Sequence, residues 1–186
     1  MNLKTVRGKR GVYALALSFL FSLEAGAAIH YVNASGSSPL SPYTDWNTAA
    51  TNIQEAVDAA SGGDQILVTN GIYDTGGRVL GGALTNRVAV DKALTIQSVN
   101  GPLVTVIKGN SPMSPSAVRC IYLTNDAVLV GFTLTNGATL VSAGIDSSGG
   151  GALCSISSVL SNCVITGNSC GLNGGGVAGG SVFTDT

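Results

Sequence analysis

Two stretches in the second half of this chain repeat each other, and the repeat restricts the folds open to it. Val128-Leu-Val-Gly-Phe-Thr-Leu-Thr-Asn-Gly-Ala138 aligns with Val159-Leu-Ser-Asn-Cys-Val-Ile-Thr-Gly-Asn-Ser169, 31 residues further on. Gly149-Gly-Gly-Ala152 returns as Gly174-Gly-Gly-Val177, at a spacing of about 25 residues. Such periods mark a solenoid, because one unit of that length cannot bury its own apolar face and needs a neighbour on each side. Alternation inside the repeat supplies a register. Phe132 and Leu134 face inward around Thr133, and Cys163 and Ile165 face inward around Val164.

Upstream, short runs rich in β-branched residues or Leu and bounded by Gly, Asn, Asp or Pro predict strands at 29–32, 65–68, 87–90, 94–97, 105–107 and 120–123. Further strands are expected at 127–135, 151–156 and 159–166. Strands this short can form either a sandwich of antiparallel hairpins or a parallel stack. Asn70-Gly71, Asn100-Gly101 and Asn136-Gly137 could serve as hairpin turns. The repeat offsets favour the stack, with about 25 residues, three strands and three turns to a coil, and coils about 4.8 Å apart. The two Gly runs then form the same corner in consecutive coils.

Before the strands, Ala49, Ile53, Ala56, Val57 and Ala60 recur at helical spacing, with Gln54, Glu55 and Asp58 on the other side. N-cap residues lie around Asp45-Trp46-Asn47-Thr48, and Gly62-Gly63 stops the helix. Residues 33–44 are a loop rich in Ser, Pro and Gly. A parallel stack has an open apolar end, and an amphipathic helix placed just before the first coil can cover it.

The chain begins with Lys4, Arg7, Lys9 and Arg10, then an apolar run at 11–23, then Ala25-Gly26-Ala27. This is the layout of a secretory leader with a small-x-small cleavage site. The alternative, an uncleaved membrane anchor, needs about 20 apolar residues, and Glu24 ends the run before that. The expected organisation is a signal peptide at 1–27, a strand and loop at 28–48, and a capping helix plus incomplete β-helix at 49–186. Beyond the leader, five cations face nine acids without a basic patch, which argues against a nucleic-acid surface. Cys120, Cys154, Cys163 and Cys170 have no zinc-type spacing. They read either as small apolar core groups or, in an oxidising compartment, as a bridge such as Cys163 to Cys170.

Trp46-(x)₂-Ala49-Ala-Thr-Asn-Ile53-Gln-Glu-Ala56-Val-Asp-Ala-Ala60, then Gly63-Asp-Gln-Ile-Leu-Val68 and Asn70-Gly-Ile-Tyr73, resembles the start of secreted right-handed parallel β-helix proteins of the pectate-lyase-like superfamily. Gly150-Gly-Ala-Leu153 and Ile165-Thr-Gly-Asn168 are similar to motifs of polymorphic outer-membrane-protein repeats, although the second motif usually begins with Phe. The resemblance implies an all-β, right-handed parallel β-helix with an N-terminal amphipathic capping helix. The same fold carries lyases, hydrolases and adhesins, so it does not choose an activity.

The residues themselves offer little chemistry. A glycosidase needs two carboxylates on neighbouring strands, and Asp45, Glu55, Asp58, Asp64, Asp74, Asp91, Asp126, Asp146 and Asp185 read mostly as cap, turn or outer-helix residues. A pectate-lyase-type site, as the resemblance implies it, pairs clustered Asp for calcium with a basic residue. Arg78, Arg87, Lys92, Lys108 and Arg119 have no such cluster beside them in sequence. His30 is the sole histidine, and a nucleophile would need a base near it. Asn136, Asn162, Asn168 and Asn173 read as turn residues whose amides bond along the stack. No catalytic residue, metal site or cofactor is assigned.

Three expectations follow. The first is an exported cell-surface or extracellular β-helix that is non-catalytic, adhesin-like or glycan-contacting, with a polysaccharide as partner and no membrane span after leader cleavage. The second is a polysaccharide lyase or glycoside hydrolase whose catalytic coils lie beyond this N-terminal piece. The third is a structural spacer.

Overall fold

The computed structural model describes residues 26–141 and 144–180, and the backbone of 182–184. Except for Gly26 and Ala27, the predicted leader lies outside the described residues. The chain is a parallel β-solenoid. Strand β1 (Ile29–Val32) and helix α1 (Ile53–Ala59) precede stacked rungs that each give one strand to each of three sheets. The first rung is β2 (Gln65–Val68), β3 (Gly71–Tyr73) and β5 (Thr85–Val90), with the short β4 (Arg78–Val79) pairing antiparallel to β5. The second is β6 (Thr95–Ser98), β7 (Thr105–Lys108) and β8 (Val118–Leu123). The third is β9 (Val128–Val130), β10 (Thr133–Thr135) and β11 (Ala152–Cys154). The fourth is β12 (Val159–Ser161), β13 (Val164–Thr166) and β14 (Val177–Gly179), followed by β15 (Val182–Thr184).

Both repeat offsets turn out to be rung-to-rung registers. Val128 pairs with Val159 and Thr133 with Val164, while Ala152 pairs with Val177. The expected coil of about 25 residues holds only at the last steps, Ala152 to Val177 and Val159 to Val182. Earlier rungs are longer, as Gln65 pairing with Thr95 and Thr95 with Val128 show, because loops at 74–84, 109–117 and 136–151 are inserted between strands.

Two predicted strands are corrected. The runs 127–135 and 159–166 each split in two, bent where Gly131 (φ 81°) and Asn162 (φ 48°) take left-handed backbone. The paired Gly runs do form one corner in successive rungs. Gly149 and Gly174 both have positive φ, and the Gly149 and Gly151 amides donate to the Asn173 and Gly175 carbonyls. A Cβ on Gly149 would collide with the Ala152 carbonyl oxygen, and one on Gly174 with that of Val177, so no larger residue fits either corner.

Inward residues stack in columns along the axis. Ile66, Ile96, Leu129 and Leu160 form one column, each at most 2% exposed. Tyr73, Ile107, Leu134 and Ile165 form another, and Val88, Ile121, Ala152 and Val177 a third. Each buried Ile or Leu contributes roughly 1.5–3 kcal/mol relative to exposure. The predicted facing holds here: Phe132 and Leu134 are buried, Ile165 and Cys163 pack against the core, and Val164 is exposed. Cys120, Cys154, Cys163 and Cys170 are thiols, so the Cys163–Cys170 bridge is not formed. Burial pushes the Cys120 thiol up to about 12.

The helix is shorter than its sequence pattern. It begins at Ile53 with the Asn52 side chain accepting from the Glu55 amide, whereas 46–48 is a separate 3₁₀ turn capped by Asp45. Ala50 bridges to Val32 instead. Ile53, Ala56, Val57 and Ala60 join the core, and α1 packs on β1, β2 and β5, covering the first rung. Lys92 Nζ donates to the carbonyls of Val57, Asp58 and Ala60 at the helix C-terminus.

Gln54, expected on the outer side, is 4% exposed. Its Oε1 accepts from the Ala89 amide at 2.7 Å and its Nε2 donates to the Ala89 carbonyl at 3.2 Å, so the lid satisfies the open edge of β5. Gln54→Leu strands the Ala89 amide and is expected to cost about 1–3 kcal/mol in urea unfolding. Glu55→Leu, on the exposed side of the same helix, is expected to be near neutral.

Candidate functional site

The rungs bring several acids and bases together, and each contact has a structural use. Arg78 Nη2 lies 2.8 Å from Asp91 Oδ1, and Nη1 lies 3.5 Å from Asp58, tying β4 to the helix. Burial works against ionisation of Asp91, but Arg78, its own backbone amide and Lys92 together hold that carboxyl below its usual range. Arg87 donates to the carbonyls of Lys108 and Gly76, and Lys108 Nζ is 3.9 Å from Asp74. Among the described residues no three His, Cys, Asp or Glu side chains gather as they would around a metal.

Arg119 is 1% exposed, which its charge concealed in the sequence. Nε donates to Gly149 O, Nη1 to Asn86 Oδ1 at 2.6 Å, and Nη2 to the carbonyls of Ile145 and Ser148. Burial pulls this guanidinium down to about 10, partly offset by Asp146. Asp146 in turn accepts the amides of Ala83 and Leu84. The pair pins the long loop of the third rung onto the first two.

His30 and Asp64 are also structural partners. The ring lies in β1 with Nδ1 2.6 Å from the Pro42 carbonyl and Nε2 3.0 Å from Asp64 Oδ2. Asp64 also accepts the amides of Ser61 at 2.7 Å and Ala28 at 2.8 Å. Burial disfavours its charge, yet these amides and His30 together hold the carboxyl below its ordinary value.

The outer face of the first sheet is different, because its side chains lie outside the core and are half-buried to exposed. Tyr31, Leu67, Gln97, Val130 and Ser161 form one outward row in register across successive strands. Gln65, two positions before Leu67 of that row, donates from Nε2 to Gln97 Oε1 at 3.1 Å. At the β1 edge the Tyr31 and Trp46 rings pack with centroids 4.4 Å apart and planes tilted by 57°. Trp46 remains 41% exposed, and Asp45 and Asn47 beside it are exposed as well. The 3₁₀ turn holds this ring over β1 through the Asp45 side chain, which accepts from the Asn47 amide and side chain. The surface therefore offers an aromatic platform followed along the row, at a rung spacing of about 4.8 Å, by Leu67, the Gln97 amide, Val130 and the Ser161 hydroxyl.

The sequence reading used Trp46 only as a motif residue and did not place it against Tyr31. The available signal was that the single Trp of the chain sits in a polar loop. Of the turn asparagines, Asn168 bonds along the stack, donating to Leu134 O and accepting the Gly137 amide. Comparison with protein-family models, curated proteins and solved structures finds no match for this chain.

Proposed function

We propose that this chain belongs to an exported cell-surface or extracellular β-solenoid protein that contacts glycans without transforming them. The observation that carries this reading is the pair of half-buried Tyr31 and exposed Trp46 at the end of an outward row bearing Gln97 and Ser161. A sugar ring has a C–H face that packs on an aromatic ring, and hydroxyls at its rim that bond to amides. The parallel sheet sets the aromatic pair, Gln97 and Ser161 along one line, with Leu67 and Val130 between them, which suits an extended polysaccharide better than a small enclosed ligand. The leader pattern at 1–27 supports export.

Affinity electrophoresis through gels containing neutral or acidic polysaccharides tests it. At least one polysaccharide is expected to retard the chain. Trp46→Ala is expected to weaken that retardation about 10- to 30-fold with the melting temperature little changed, since aromatic anchors are worth about 2 kcal/mol. No retardation by any polysaccharide, or an unaltered Trp46→Ala variant, contradicts the proposal.

The lid helix on a parallel solenoid also supports a second reading, kinship with the pectate-lyase-like superfamily, in which further coils would carry a lyase or hydrolase site. Cleavage of acidic polysaccharide by a longer chain that carries those coils would favour it.

A further inference from the structure

The notable feature of the His30–Asp64 pair is its third partner. The Ala28 nitrogen lies 2.8 Å from Asp64 Oδ1, and Ala28 is the residue that follows Ala25-Gly26-Ala27. An amide at that position gives Asp64 one neutral hydrogen bond. A chain that began there would give it an ammonium.

We propose that removal of the leader at the Ala27–Ala28 bond creates an α-ammonium that ion-pairs with Asp64, so that processing itself fastens β1 onto the first rung. The inference rests on the export reading above and deepens it. In the cleavage, by a leader peptidase, water adds hydroxyl to the Ala27 carbonyl carbon and the C–N bond breaks. The released amine keeps a proton from that water and takes another from solvent at neutral pH.

The fold around the site is prepared for this charge. Asp64 side-chain atoms are nearly buried, at 9% exposure, and the Ser61 amide fixes Oδ2. Ala28 is also held independently, because its carbonyl accepts the Gln65 amide at 2.9 Å, which keeps the residue beside Asp64 when the bond before it is cut. Next to the pair, Gly26, Ala27 and Ala28 face Ser61, Gly62 and Gly63 across a cleft of about 380 Å³. With residues up to Ala27 gone, water can reach the ammonium hydrogens that Asp64 does not take. The titratable group facing Asp64 is His30, whose Nδ1 donates to a carbonyl that can only accept. A charge-assisted bond of this kind is about twice as strong as the neutral one it replaces.

Three forms of the processed chain separate the possibilities: one beginning with a free Ala28 amine, one retaining Gly26-Ala27, and one acetylated at Ala28. The free-amine form is expected to melt about 2–4 °C above the other two near pH 6.5. Pairing raises the folded amine pKa above its unfolded value of about 7.7–8.0, so the advantage is complete below that range and fades as pH climbs through the folded value. Asp64→Asn is expected to erase the difference; should that variant fail to fold, the pH dependence in the unaltered background decides. Equal melting of all three forms across this pH range overturns the ion pair. N-terminal sequencing of the chain exported from a bacterial host is expected to start at Ala28. Any other start overturns the processing position, and failure of the host to export the chain overturns the export reading, neither of which the melting comparison addresses.

Discussion

Leu129→Asp is expected to lower the melting temperature by at least about 10–20 °C or to prevent folding, while Val130→Asp shifts it by no more than about 2–4 °C. The two residues are neighbours on β9, but Leu129 is fully buried between Ile96 and Leu160, and Val130 faces outward between Gln97 and Ser161. An aspartate in the column must either hold an unpaired charge in apolar surroundings or stay protonated, and it also forfeits the leucine's burial. Together these cost several kcal/mol against a total stability of about 5–15 kcal/mol. The location aggravates the loss. In a stack where each rung touches only its neighbours, a defect in the third rung weakens the contacts on both sides. Circular dichroism melts of the two variants make the comparison, and equal shifts would contradict the register.

Arg119→Met is expected to cost about 3–5 kcal/mol, seen as a fall in urea midpoint, and Arg119→Lys to recover little of it. Methionine fills much of the space, but Asn86 Oδ1 and the carbonyls of Gly149, Ile145 and Ser148 lose their donor. Each buried acceptor left bare costs about 1–3 kcal/mol, less whatever water recovers. Lysine cannot serve four acceptors arranged around a planar fork. Hydrogen exchange gives a local readout: the amides of Ala83 and Leu84, held by Asp146, are expected to exchange faster in Arg119→Met than in the parent. Unchanged protection there would mean that the loop is fastened in some other way.

The stacking was legible in the sequence because a stretch that recurs in register on the next rung leaves a repeat at the rung-to-rung offset. Val128 to Val159 and Ala152 to Val177 are such offsets, and they are neighbouring strands. The first two rungs hid their period behind the loops at 74–84 and 109–117, so only their strands could be read. Inward and outward facing followed from alternation, as Leu134 and Thr133 illustrate. What could not be read was polar burial. Gln54, Asp64 and Arg119 have hydrophilic side chains, and a periodic pattern assigns such residues to solvent. Their partners Ala89, Ala28 and Asn86 are distant in sequence and adjacent only once the chain coils. The Tyr31–Trp46 pair escaped for the same reason, since a loop carries Trp46 back over β1.

The parallel stacking of rungs is tested most directly by proton NMR contacts between backbone atoms of residues 95–97, 128–130 and 159–161. The structure predicts amide-to-Hα contacts joining 128–130 to both other segments, in the order Ile96, Leu129, Leu160, without strong Hα–Hα contacts. Antiparallel neighbours bring opposed Cα atoms to about 4.5 Å. Strong Hα–Hα contacts between segments running in opposite directions would therefore contradict the solenoid and everything built on it.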